Sequence, residues 1–118
     1  MHMRRILIVE DDPLVALDLE GIVRASGDET QVAVANTLVE ARNALAALAF
    51  DAAFLDIDMA DGKTFEVAAL LHARGTPFAF VSGSRPEEVP APLRHVPFVP
   101  KPYHPEDIER TLRVRLSR

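Results

Sequence analysis

The chain has 118 residues, 48% of them hydrophobic and 26% charged, with a net charge of −5. That is enough for one domain with one core, and the acidic balance argues against a nucleic-acid ligand. No cysteine occurs, which excludes disulfides, thiolate metal sites and thiol redox chemistry. The longest apolar runs fall far short of a membrane span, no signal peptide is evident, and a cytoplasmic location is expected. Met1-His2 is a candidate cloning remnant ahead of a second start at Met3.

Arg4-Arg5 lead into Ile6-Leu7-Ile8-Val9, a run suited to a central strand buried on both faces. It ends in Glu10-Asp11-Asp12-Pro13. Asp12 fits the cap of a helix whose first residue is Pro13, with Val15, Leu19 and Ile22 inward and Gly27 at its end. Gln31–Ala35 alternates as an outer strand. Thr37 and Glu40 fit a capping box before the stripe Leu38, Ala41, Leu45, Leu48. Ala53-Phe54-Leu55-Asp56-Ile57-Asp58 is a second buried strand that ends in two acids. Residues 62–74 read as a third helix, with Val67, Leu70 and Leu71 inward and Gly75 closing it. Pro77–Val81 is a fourth strand ending at Ser82-Gly83-Ser84. Pro86, Pro90 and Pro92 allow only a short or irregular fourth helix. Val96–Val99 is a fifth strand, placed at a sheet edge by Pro97. Pro105 opens a last helix, with Glu106 and Asp107 in its first turn and Arg113, Arg115 and Arg118 in its last, as the helix dipole favours. Ile108, Leu112 and Leu116 face inward.

The repeated strand–helix alternation implies an α/β fold: a doubly wound parallel sheet of flavodoxin type, (βα)5, with strand order 2-1-3-4-5 and a single domain over 1–118. The polar signals then share one end of the sheet. Glu10 and Asp11 follow strand one, Asp56 follows strand three, Ser82 follows strand four and Lys101 follows strand five. Clustered carboxylates repel one another, and a hard divalent cation relieves that repulsion. Mg²⁺ suits such a site, because it takes few carboxylates and retains waters for exchange with phosphate oxygens.

In these residues the chain resembles a response-regulator receiver domain along nearly its whole length. The resemblance implies that Glu10 and Asp11 hold Mg²⁺, with Asp11 the more direct ligand. It implies that Asp56 is phosphorylated and that the carbonyl of Asp58 completes the metal shell. Ser82 takes the place of the hydroxyl that bonds the phosphoryl group. Lys101 is the lysine that pairs with its oxygens, ahead of a usually cis bond to Pro102. Phe98 falls on the switch aromatic. The implied donor is a histidine kinase or phosphotransfer protein. The implied output is a protein partner on the face formed by strand four, helix four, strand five and helix five, with no nucleic acid or membrane involved.

Three positions depart from the family pattern: Ala60 where proline is frequent, Gly83 where alanine is common, and the extra acid Asp58. The runs Pro77–Gly83 and Pro97–Pro102 also resemble a subgroup of stand-alone receivers with a Phe-Ala-Thr-Gly-like motif. Taken singly, the signals have plainer readings: an acid cluster at a helix start, a turn serine, a solvated lysine and a core phenylalanine. His2, His72, His95 and His104 lack ligand spacing and read as surface residues. Other functional readings are a phosphate sink, a docking-only receiver, and a haloacid-dehalogenase-like phosphatase built on Asp56 and Asp58. The phosphatase reading lacks the expected Thr or Val at position 60, and the chain is short for that core.

Overall fold

In the computed structural model, which describes residues 3–27 and 29–117, β1 (Arg4–Val9) leads to α1 (Pro13–Ala25), β2 (Thr30–Ala35) and α2 (Leu38–Ala47). Next come β3 (Ala52–Leu55), a small ribbon of β4 (Asp58–Met59) and β5 (Gly62–Lys63), α3 (Phe65–Ala73) and β6 (Phe78–Ser82). Two short 3₁₀ turns, Pro86–Glu88 and Ala91–Leu93, precede β7 (Phe98–Pro100) and α4 (Pro105–Arg110), which runs on as a π turn over Thr111–Arg115. The main sheet has the order β2-β1-β3-β6-β7 with every pair parallel. Counting its strands alone, this is the expected 2-1-3-4-5.

The strand period of two builds two cores. Leu7, Val9, Leu55 and Phe80 pack on one face against Leu38, Ala41 and Leu45 of α2 and Val67 and Leu71 of α3. Ile6, Ile8, Phe54 and Val81 pack on the other against Leu19 and Val23 of α1 and Ile108, Leu112 and Leu116 of the last helix. The near-continuous apolar runs thus follow from burial on both faces.

The local signals act largely as expected. The Asp12 carboxylate accepts from the N–H groups of Leu14 and Val15 at 3.0 and 3.4 Å, and Pro13 starts α1. Thr37 Oγ1 accepts from Glu40 N–H at 3.0 Å, while the Glu40 carboxylate reaches Asn36 N–H at 2.7 Å, one residue before the cap. Gly75, at φ 69°, closes α3 in a conformation that favours glycine.

Several expected details are corrected. The fully buried stripe of α1 is Ala16, Leu19 and Val23, with Val15 and Ile22 half-buried beside it. In α3 it is Val67, Ala68 and Leu71, leaving Leu70 exposed, and Leu48 is exposed past the end of α2. Gly62 and Lys63 belong to the ribbon, not to α3, because Gly62 at φ 137° breaks the helix before Phe65. The fifth strand begins at Phe98, and Pro97, which has no N–H to donate, lies before it. The fourth helix is irregular, as its prolines require. Met1, His2 and Arg118 lie outside the described residues.

Candidate functional site

Parallel pairing aligns the carboxyl ends of β1, β3, β6 and β7. Asp56 N–H donates to Val9 O at 2.9 Å, and Lys101 N–H donates to Ser82 O at 3.0 Å. These two bonds extend the ladders by one step and set Glu10, Asp56, Ser82 and Lys101 around one hollow. One carboxylate oxygen each from Glu10, Asp11 and Asp56 lie within 4.8 Å of one another. Glu10 and Asp56 are buried, and Asp11 is half-buried.

Lys101 spans the acids. Its Nζ donates to Glu10 Oε1 at 2.6 Å and to Asp56 Oδ2 at 3.2 Å. Glu10 Oε2 accepts from Asp12 N–H at 3.1 Å. Burial pushes the Glu10 carboxyl above its ordinary value, with the Asp56 charge adding to the rise, against the Lys101 and Asp12 hydrogen bonds. Burial pulls the Lys101 ammonium down, but its bond to Glu10 and the charges of Asp56 and Glu10 together outweigh this and hold it high. Lys101 is therefore a fixed cation at the mouth of the hollow. The bond from Lys101 to Pro102 is cis, as expected.

Ser82 Oγ is buried and accepts from Ser84 N–H at 3.1 Å, which leaves its own proton to donate. A Cβ at Gly83 would meet nothing within 4 Å, so this glycine leaves open space that an alanine would fill without strain. Phe98 is half-buried against the first core, beside a cleft of about 300 Å³ lined by Pro86, Val89, Leu93, Arg94 and Val96. Among the expected residues Asp58 stands apart. Its carboxylate is exposed and is bonded to Lys63 Nζ and to Ser84 Oγ rather than grouped with the three acids. The Lys63 bond, and next the Ser84 bond, hold its carboxyl below the usual range. Asp58 thus pins the ribbon to the loop after β6.

Other contributors were not legible in the sequence. Ala60 N–H donates to Asp11 Oδ2 at 2.7 Å. A proline at position 60 has no N–H and would forfeit this bond, so the departure from the family pattern has a visible consequence. Thr64 is fully buried, and its hydroxyl donates to the Asp56 carbonyl oxygen while its N–H donates to Ile57 O at 3.0 Å. Thr64 sits where a helix was expected, and a lone threonine carries no local sign of a tether across eight residues. Thr64→Val should leave that buried carbonyl unpaired and lower stability by about 1–3 kcal/mol in urea unfolding. Tyr103 Oη donates to Asp18 Oδ2 at 2.6 Å, tying the loop after Lys101 to α1.

Comparison with known proteins agrees with this arrangement. Residues 6–113 match the family described as response regulator receiver domain. The chain is 38% identical over 107 residues to the phyllosphere-induced regulator PhyR of Methylorubrum extorquens, matching 80% of this chain and 39% of that protein. It therefore spans about two fifths of that relative. The non-phosphorylated HemR receiver domain of Leptospira biflexa superposes with a TM-score of 0.81 at 29% identity, covering 98% of this chain and 95% of that one. The response regulator PhyR of Brucella abortus superposes with a TM-score of 0.80 at 28% identity, over 98% of this chain and 48% of that one. Built on this sheet, with these acids at its carboxyl edge and a family match over most of its length, the chain belongs to the response-regulator receiver family.

Proposed function

We propose that Asp56 accepts a phosphoryl group from a histidine kinase or phosphotransfer protein, with Mg²⁺ held by the acids, and that the acyl phosphate switches a protein-binding face. The observation that carries this reading is the convergence of Glu10, Asp11, Asp56 and Lys101 on one hollow. Mg²⁺ ligands in an octahedron stand about 3–4 Å apart, so a small contraction of the three acids fits the ion. Both Glu10 oxygens accept hydrogen bonds, from Lys101 and Asp12, and both Asp56 oxygens do so from Lys101 and Ile57, whereas Asp11 accepts at Oδ2 from Ala60, which favours Asp11 as the most direct ligand. The Asp58 carbonyl is the proposed further ligand.

Asp56 is the nucleophile: its carboxylate oxygen bonds to phosphorus as the bond to the donor histidine nitrogen breaks. Bound Mg²⁺ would supply charge neutralisation to the transferring oxygens. Lys101 does the same from the other side, and Ser82 donates to the product phosphoryl group. Drawing Ser82 inward opens room towards Phe98, whose neighbouring cleft lies under the irregular segment. A full population switch requires about 5.5 kcal/mol of differential interaction, within reach of a few charge-assisted hydrogen bonds.

The test is labelling by a small acyl-phosphate donor and by candidate kinases, with and without Mg²⁺. Chelation should abolish labelling; labelling that survives it would overturn the metal assignment. Acidification should weaken Mg²⁺ binding, because Glu10 has a raised pKa and takes up a proton on the way down to its ordinary value of 4.5. The same shift means that ionised Glu10 opposes folding. Its stabilising neutral form is fully present below that value and is lost as pH rises through the folded pKa. Mg²⁺ titrations followed down in pH should show affinity beginning to fall above the ordinary carboxylate value of 4.5.

The Asp58 clasp predicts a kinetic effect. Asp58→Ala frees Ser84 and the ribbon, admits water beside the acyl phosphate, and should shorten its lifetime several-fold. Stability should change little, because the Lys63 pair is exposed. Decay of radiolabelled protein, set beside a melting curve, separates the two effects.

A further inference from the structure

At the opposite end of the sheet, two histidines far apart in the sequence meet. His72 lies in the last turn of α3, and His95 lies in the segment before β7. Their ring centroids are 5.2 Å apart with an interplanar angle of 61°. Both side chains are exposed, and among the described residues neither imidazole has a hydrogen-bond or ion-pair partner. Their ring nitrogens are therefore available to a ligand. The rings flank a cleft of about 380 Å³, lined also by Thr76, Phe78, Val96 and Arg115. Among the described residues no carboxylate lines it.

We propose that His72 and His95 form a binding site for one borderline transition-metal ion of the Zn²⁺, Cu²⁺ or Ni²⁺ class. A metal–nitrogen bond of about 2.0–2.1 Å, extended to the ring centre, places two tetrahedral imidazole ligands about 5 Å apart between centroids. The observed separation meets that requirement before any backbone movement. Exposed side chains reorient in picoseconds to nanoseconds, so one nitrogen of each ring can be aimed at the ion. The donor set selects the class: imidazole suits Zn²⁺, Cu²⁺ and Ni²⁺, whereas Mg²⁺ needs oxygen. Two protein ligands leave the remaining positions to water, and the nearby Arg115 charge opposes the ion, so binding is modest. The ion would pin the end of α3 to the segment that follows the two 3₁₀ turns. This site is separate from the acid hollow and does not depend on phosphoryl chemistry.

The test is a Zn²⁺ titration of the whole chain at pH 7.5 in excess Mg²⁺, which keeps the acid hollow occupied, followed by calorimetry and by histidine ring resonances. One Zn²⁺ should bind, with both His72 and His95 signals shifting together. His72→Gln and His95→Gln should each weaken binding at least about tenfold, the loss of one of two chelating donors. His2→Gln and His104→Gln should leave it unchanged. Both key positions are exposed, so these variants should fold, and a melting curve verifies this. Equal affinity in wild type, His72→Gln and His95→Gln, or shifts confined to other histidines, overturns the proposal.

Discussion

Asp56→Asn is expected to bring phosphoryl labelling to background with every donor. The amide keeps the shape, but its single oxygen can accept from only one of the two donors, Ile57 N–H and Lys101, which contact different oxygens of the carboxylate at 2.7 and 3.2 Å. It has no anionic oxygen with which to attack phosphorus, so the step loses its nucleophile rather than its geometry. The same change removes one charge from a crowded set of acids. Asp56 helps push the Glu10 carboxyl upward, so its neutralisation relieves Glu10 and should leave thermal stability equal or higher. A variant that is folded, no less stable and unlabelled is the expected combination. Full labelling of this variant, with mapping to another carboxylate, would move the acceptor elsewhere.

Lys101→Met is expected to be the next most damaging change to transfer. The lysine is the only cation bonded to Glu10 or Asp56 among the described residues. By analogy with loss of a single preorganised stabilising donor, transfer should slow by about 10²–10³-fold. Because the methionine stem fills similar volume, packing around the position is largely kept. The unpaired acids should then bind protons more readily, and the pH at which Mg²⁺ affinity falls should move upward. Lys101→Arg tests charge against shape: the planar fork keeps the charge but is larger than the compact ammonium that sits between Glu10 and Asp56, so partial activity is expected. A Lys101→Met protein that transfers at the normal rate would remove the lysine from the mechanism.

The central strands were legible because their signals are local and redundant, whereas the sheet order came from the flavodoxin-like fold type to which the strand–helix alternation points. Ile6–Val9 and Ala53–Leu55 are apolar on both sides, and prolines mark the edge and the broken fourth helix. Asp56 and Lys101 were legible because they end strands that parallel pairing must align. Helix stripes were read less well. Leu70 and Leu48 share the hydrophobicity of their buried neighbours, and only the three-dimensional packing reveals that they face outward. The backbone donor at Ala60, the hydroxyl of Thr64 and the clasp of Asp58 depend on loops folding back over several residues, which no periodicity encodes. The meeting of His72 and His95 depends on where two connections cross the bottom of the sheet, so neither spacing nor composition announces it.

The outermost strand β7 is only three residues long, and Pro97 and Pro100 stand at its ends. Short, proline-flanked margins cannot template another chain's backbone. A protein arriving at this flank must read contour and charge, because it cannot extend the ladder. At this margin, unlike the longer proline-free edge formed by β2, a partner is held by side chains rather than by an added strand.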